Sequence, residues 1–444
     1  MIALGKLLVP PAIFALSFAG CGKKPTVNNN PAAGMDKNGN VVITYWRPET
    51  YNDPFPQALT DFQSENAGIV IKYQAFPEDV YEQRVVEALA NGSGPDVWEL
   101  PGDEVPEHRQ KLYPAPDSIA NASGIAKKYV PQVASEVVLG NQVMGLASHM
   151  EPLRIIENSR IFDDANVNTE LPQNWSGVVN AARQLTKFDD KGKLVQSGLA
   201  IGSGEEVFDS ADIMSLIFMQ YRTDMIKKSQ DEATFNLFQR TDGGISYVGR
   251  NALKFYTDFA RPNSANYTWD PALGGSVQAF TQGKVAMTIG YERLVPFFKQ
   301  KNPSLQIATA AVPQIWLLDY PTRKDTQPKM TRPIDFAKSR VQVVSKVSVH
   351  PVSGWKFLSL FIAGANLSTG PHTSPFLSAE EPDWFEDRPE PQFAETWFKG
   401  PFPRQTDVIM RAMADGVVKQ NQTIETAINN AAEQITTLLQ QGGK

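Results

Sequence analysis

Ala279 to Glu292, AFTQGKVAMTIGYE, decides how the rest of the chain is read. Ala279 and Phe280 close a helix, Gly283 stops it, and Val285 to Ile289 follows as a short buried strand. Tyr291, Glu292 and Arg293 then put an aromatic ring and two charges at the strand's carboxyl end. A lone strand is unstable in water, so this one must join a sheet drawn from distant sequence. The expectation is that its partners lie before residue 150 and that the residues between form a second lobe.

Upstream, VVITYW at 41–46 is a near-continuous apolar run of the kind covered on both faces of a sheet. A helix over 54–66 with Phe55, Leu59 and Phe62 on one face follows, then a strand over 68–74. Next come a helix over 79–91 ended by Gly92 and the short strand GPDVWEL, 94–100. Strands alternating with helices predict βαβ units and a parallel sheet. Near 141–148 another strand runs through Pro152 into a second strand-like stretch with no helix between, the pattern of a chain passing from one sheet to another. LPQNWSGVVNAARQLTKF is an amphipathic helix, with Asn174 as its cap and Trp175, Val178, Val179, Ala182 and Leu185 as its buried stripe. Helices are expected over 210–222, 248–261 and 292–301, with a strand LQIATAAVP after them. Beyond a polar loop at 317–339 come a strand VQVVS, an apolar helix SGWKFLSLFIAG and a helical C-terminus with Ile424, Ile428, Ala431, Ile435 and Leu438 at helical spacing.

The chain has 444 residues, 42% apolar and 20% charged, enough for two or three domains at roughly 150 residues each. With 42 basic against 48 acidic side chains it advertises no basic surface, which argues against nucleic acid as a partner. The first 20 residues carry one lysine, an apolar run and small residues before Cys21, the layout of a secretory signal, and the run is too short to span a bilayer comfortably. Cys21 is the single cysteine, so it forms no disulfide within the chain. Phe-Ala-Gly-Cys resembles the lipobox of bacterial lipoproteins, although Phe18 stands where Leu is usual. That resemblance implies a lipidated Cys21 whose two acyl chains suffice for stable anchoring. The Asn-, Gly- and Pro-rich residues after it read as a flexible tether.

Several stretches in one order resemble the family 1 extracellular solute-binding proteins, the substrate-capturing lipoproteins of bacterial ABC importers. They are VVITYW, YEQRVVEALANGSGPDVWEL, VMGLA with NSRIF, LPQNWSGVVNAARQLT, NALKFYTDFARP, AFTQGKVAMTIGY and VVSKVSVHPVSGWKFLSLFIA. The resemblance implies a two-lobed α/β fold of the periplasmic-binding-protein type (type II). Each lobe is a mainly parallel sheet flanked by helices, with a hinge between lobes and a solute gripped there. It divides the chain into a lipoprotein signal peptide, 1–20, and a lipid-anchored tether, 21–40. The first lobe is then 41–150 plus 276–330, and the second is 151–275 plus 331–444 with its helical C-terminus. Crossings fall near 150, 275 and 330, and at the third MTRPIDFAKSR stands where family members commonly carry a glycine pair.

Ligands of open α/β sheets bind beyond the carboxyl ends of strands. That rule selects Trp46, Arg47, Glu49 and Tyr51 after the first strand, Trp98, Glu99 and Asp103 after the third, and His149, Met150 and Glu151 at the hinge. It also selects Tyr291, Glu292 and Arg293, with Asp209, Asp212, Trp269 and Trp316 offered by the second lobe. Rings beside carboxylates and guanidinium groups suit a sugar, whose apolar face stacks while its hydroxyls take charge-assisted hydrogen bonds. Trp46 and Tyr291 fit a solute face and a packed core equally, whereas Trp98 fits the core better and Trp175 and Trp355 are core. The basic residues of the 317–339 loop read as a solvated face.

Neither G-x-S-x-G nor H-E-x-x-H occurs, and carboxylate pairs such as Glu205 and Glu206 are sequence neighbours that do not face each other. No catalytic residue, metal ligand or cofactor is therefore expected. The favoured function is capture of a small solute, a sugar or oligosaccharide, for the permease subunits of an ABC transporter, by a monomer held to the membrane only through its N-terminal lipid. A solute-sensing or partner-binding lipoprotein of the same fold, and a secreted hydrolase, are the alternatives.

Overall fold

VVITYW folds within the strand Val41–Pro48, whose inward side chains Ile43 and Tyr45 are fully buried. The computed structural model describes residues 34–49, 55–168, 174–241, 244–315, 334–364, 375–376 and 394–441. The signal segment, Cys21 and most of the tether, Tyr51, Trp316 and most of the basic loop lie outside the described residues.

Val41–Pro48 pairs in parallel with Ile69–Phe76 on one edge and Val97–Pro101 on the other. Helices Phe55–Glu65 and Glu78–Ala90 fill the crossovers, as the βαβ pattern predicts. Val97–Pro101 then pairs antiparallel with Asp335–Val344, which runs antiparallel beside Leu146–Asn158. All thirteen residues of Leu146–Asn158 are buried. Its second half takes Val285–Tyr291 along one edge and Ile307–Ala311 along the other, and Val285–Tyr291 pairs in parallel with Leu194–Ala200. Among the described residues these strands belong to one continuous ten-stranded sheet.

Two hydrophobic cores sit on that sheet. The first gathers Ile43, Tyr45, Phe55, Phe62 and Val97 with Trp355, Phe357 and Phe361 of the helix Pro351–Gly364. Phe55, Phe62 and Phe357 lie 5.2 to 6.0 Å from neighbouring rings of this cluster, in the edge-on and tilted arrangements that aromatic pairs favour. The second gathers Leu153, Ile155, Trp175, Val178, Leu199, Met287 and Ile289 with Met410, Ile428 and Ile435 of the two C-terminal helices, Pro403–Val418 and Ile424–Gln441. Asn174 caps Trp175–Leu185 as predicted, its side chain accepting from Gly177 N at 2.9 Å.

The boundary between the cores cuts through strands. Met150 belongs to the first core and Leu153 to the second; Ala337 belongs to the first and Phe336 to the second. The passage through Pro152 is therefore a single strand that leaves one core and enters the other within one sheet, rather than a crossing between two sheets.

Two expectations are corrected. Val285–Tyr291 does not find its partners before residue 150 but pairs with Leu153–Glu157 and with 197–200, so the described residues of 276–315 build the second core. Asp335–Val344 and Pro351–Gly364, assigned to the second lobe, build the first. The chain thus returns near residue 336 rather than 275, and farther on Phe376 packs on Tyr129 of the first core while Trp397 joins the second. The physical reason is that a strand buried on both faces carries the same apolar run in any sheet. Only its neighbours' edges decide which sheet accepts it.

Candidate functional site

Where the cores meet, charged side chains from both converge on the two shared strands. Glu151, on Leu146–Asn158, accepts from Arg293 Nη1 at 2.8 Å and from Arg340 Nε at 3.1 Å. Arg340 Nη2 also lies 3.2 Å from Glu78 Oε1, at the start of the first core's helix Glu78–Ala90, and Arg293 Nε lies 3.9 Å from Glu78 Oε2. Burial opposes ionisation of Glu151, but the guanidinium groups of Arg340 and Arg293 outweigh it and hold the carboxyl well below the usual range. Arg293 also stacks 4.6 Å over the ring of Tyr291.

A second set surrounds Lys399, whose side chain is wholly enclosed. Its Nζ lies 3.4 Å from Asp103 of the first core and 3.2 and 2.8 Å from Asp212 and Asp407 on the second. Asp212 also takes Lys338 Nζ at 2.9 Å and the Tyr291 hydroxyl at 2.8 Å. Lys399 is fixed in place from both sides, because Trp397 Nε1 donates to Ser215 Oγ and the Thr406 hydroxyl donates to the Lys399 carbonyl. Arg404, five residues on at the start of the helix Pro403–Val418, bonds both Glu82 and Glu107 of the first core. Asp209 lies close by with φ 56°, a left-handed conformation uncommon for a residue with a side chain, and burial pushes its carboxyl up to about 6.

The predicted residues divide between this seam and the cores. Glu151, Arg293, Tyr291 and Asp103 are at the seam. Arg47 and Glu99 are not: each is 1% exposed, and they form a 2.6 Å ion pair inside the first core, with Arg47 lying 3.3 Å from the centre of the Phe55 ring and Gln342 donating to Glu99 at 2.8 Å. Trp98 is buried edge-on to His108, 5.3 Å away. Trp269 is enclosed in the second core, its Nε1 donating to Ser203 Oγ at 3.1 Å. Glu292 pairs with Arg154 at 3.4 Å and accepts from Thr309 at 2.7 Å. His149 and Met150 are buried, His149 Nε2 lying 3.9 Å from Glu151. Trp46 is half-buried, with its ring 4.9 Å from Phe76, and Glu49 is exposed.

Sequence reasoning missed Glu78, Lys338, Arg340, Lys399, Arg404 and Asp407. Lys399 sits in WFKGPFP, which reads as a surface turn because a lysine between aromatics and Gly-Pro carries no period. Lys338 falls in the 317–339 stretch read as a solvated loop, and Arg340 lies between that stretch and the strand VQVVS. A signal was present: Lys338 and Arg340 are two apart, so on a strand they fall on one face.

Two α/β cores on one sheet, linked by strands that run through both, with a seam of polar side chains between, define the class of two-lobed binding folds. The chain belongs to the bacterial extracellular solute-binding proteins, whose family profile matches residues 47–363. A binding protein of Brucella abortus (strain 2308) is 22% identical over 261 residues, 58% of this chain, and the chain spans about 59% of the length of the curated relatives it matches. Among solved structures, an ABC transporter solute-binding protein from Thermotoga lettingae bound with α-D-tagatose superposes with TM-score 0.64 at 21% identity, covering 90% of this chain and 99% of that one. An ABC substrate-binding protein from Listeria monocytogenes in complex with cycloalternan gives 0.66 at 17%, with 90% and 98% covered. A maltose/maltodextrin-binding domain from Bdellovibrio bacteriovorus bound to maltotriose gives 0.62 at 15%, with 90% and 99% covered. These likenesses establish the fold. No helix among the described residues is long and apolar enough to cross a membrane.

Proposed function

We propose that the protein captures a sugar or oligosaccharide between its two cores and delivers it to the permease of an ABC transporter, tethered outside the cytoplasm through lipidated Cys21, and without chemistry of its own. The observation that carries this reading is the seam itself. Side chains from opposite cores face each other there, as in Arg293 with Glu78 and Lys399 with Asp103. Carboxylates and guanidinium groups are the partners that sugar hydroxyls use, and the half-buried Trp46 supplies a ring for the apolar face of a pyranose.

These groups pair with one another across the seam. A solute entering between Glu78, Glu151 and Arg293 exchanges ion pairs for hydroxyl contacts, which costs less than burying bare charges. The net gain then comes from ring stacking and from closing the cores over the solute. That the relatives above are bound to tagatose, cycloalternan and maltotriose supports a carbohydrate over an amino acid or peptide. A thermal-shift screen tests it: a sugar at 100 times its dissociation constant adds about 2.7 kcal/mol to stability. Stabilisation by amino acids, peptides or polyamines and by no sugar overturns the carbohydrate assignment.

A further inference from the structure

We propose that Glu82, Glu104 and His108 form a binding site for a divalent transition-metal cation at the seam, and that this cation competes with Arg404 for Glu82. A carboxylate oxygen from each glutamate and a ring nitrogen of His108 lie within 4.8 Å of one another. Glu82 comes from the helix Glu78–Ala90, while Glu104 and His108 come from consecutive short turns over 102–108.

His108 supplies the second observation. The residue is 1% exposed, its Nε2 has no hydrogen-bond partner among the described residues, and that atom lies 4.0 Å from Glu82 Oε1. A buried imidazole nitrogen left without a partner is costly, and a metal ion bridging it to two carboxylates removes that cost. One nitrogen and two oxygens suit zinc and its neighbours better than magnesium, which keeps to oxygen and water. Ligand atoms on one tetrahedral zinc sit about 3.4 Å apart, so the cluster must contract. The Glu82 side chain, 38% exposed, has room to do so. Lys111 Nζ lies 3.1 Å from His108 Nδ1 and is a donor only. That contact places the ring proton on Nε2, and binding a metal there requires it to move to Nδ1 while Lys111, half-buried, turns away.

Arg404 extends from the second core to Glu82 and Glu107 of the first. Arg404 and the ion draw on the same Glu82 carboxylate, whose charge each would neutralise, so the ion loosens a link between the cores, and by reciprocity the link weakens the ion's binding. This inference does not depend on the identity of the solute.

Calorimetric titration of the purified protein with zinc chloride tests it. One equivalent should bind to the wild type, at least tenfold more weakly to His108→Ala and Glu104→Gln, and several-fold more tightly to Arg404→Ala. His149, His350 and His372 remain in every variant, so a loss in His108→Ala assigns the ion to this cluster. Circular dichroism in chelator must show both weakened variants folded, with Glu104→Gln deciding if His108→Ala is not. Absence of saturable zinc binding in both the wild type and Arg404→Ala overturns the site. So does wild-type affinity in a folded His108→Ala or Glu104→Gln, and an unchanged affinity in Arg404→Ala overturns the competition.

Discussion

The Tyr291 hydroxyl donates to Asp212 Oδ2 across 2.8 Å, and neither side chain reaches solvent. Burial alone would keep Asp212 neutral, but Lys338 and Lys399 outweigh it and hold the carboxylate ionised, which makes the phenol's hydrogen bond charge-assisted. The ring itself belongs to the second core.

Two roles for Tyr291 can therefore be separated. Tyr291→Phe should lower unfolding free energy by about 1.5–3 kcal/mol, the range for a hydrogen bond to a charged group. Tyr291→Ala should lower it by about 3–5 kcal/mol, the range for truncating a buried aromatic. Urea denaturation measures both. An unchanged midpoint in Tyr291→Ala would show that the ring serves a solute rather than the core.

Lys399 joins Asp103 of one core to Asp212 and Asp407 of the other. Lys399→Met leaves three carboxylates facing across the seam without their shared cation. Removing one partner from a buried ion pair costs about 3–5 kcal/mol, and here part of that strain can be relieved by the cores moving apart. Small-angle X-ray scattering should show a larger radius of gyration than the wild type. An unchanged radius together with unchanged stability refutes the linking role.

Glu136 predicts a pH dependence. Burial pushes its carboxyl up from 4.5 to about 7, despite hydrogen bonds from Ser339 and Gln132. Between these values the folded state holds a proton that the unfolded state has lost, so this group's contribution falls as pH rises from about 5 to 7. Glu136→Gln keeps the shape and removes the titration. It should leave stability at pH 4 nearly unchanged and raise it at pH 8 by on the order of 3 kcal/mol. Glu151 acts in the opposite sense: its carboxyl is held below the usual range, so its contribution is present above about pH 4.5 and lost on acidification. Denaturation at pH 4, 6 and 8 checks both signs.

Trp46, half-buried beside Phe76, should matter for binding and less for folding. Trp46→Ala should weaken sugar affinity at least tenfold while the unliganded melting temperature changes by less than for Tyr291→Ala. Isothermal titration with a sugar found by screening measures the first. Undiminished affinity would move the stacking surface elsewhere.

Much of the fold was legible because it rests on local periodicity. Trp175, Val178, Ala182 and Leu185 announce a helix face, and Asn174 announces its start. What periodicity cannot encode is partner choice. Met287 and Ile289 would be buried equally well beside Trp98 as beside Ile155, so the lobe that holds Val285–Tyr291 was misread. The site divided along the same line. Glu151 was singled out because it follows the strand expected near 141–148, although it lies within Leu146–Asn158, and Arg293 because it follows Val285–Tyr291, whereas Lys399 and Arg404 reach the seam from sequence more than 240 residues beyond Glu151. Arg47 and Glu99 have the composition of a ligand pair, yet they satisfy each other beneath Phe55.

Asp335–Val344 lies between Val97–Pro101 and Leu146–Asn158, in the middle of the sheet rather than at its edge. While the chain is being made, the strands before residue 158 therefore wait with an unfilled gap until some 180 further residues have emerged, roughly 10 to 40 s at the usual pace of synthesis. The second core waits longer, for Ile428 and Ile435. Contacts of such sequence separation also make folding slow once the chain is complete. Because Asp335–Val344 is made so late, the strands before residue 158 cannot complete the first core by themselves.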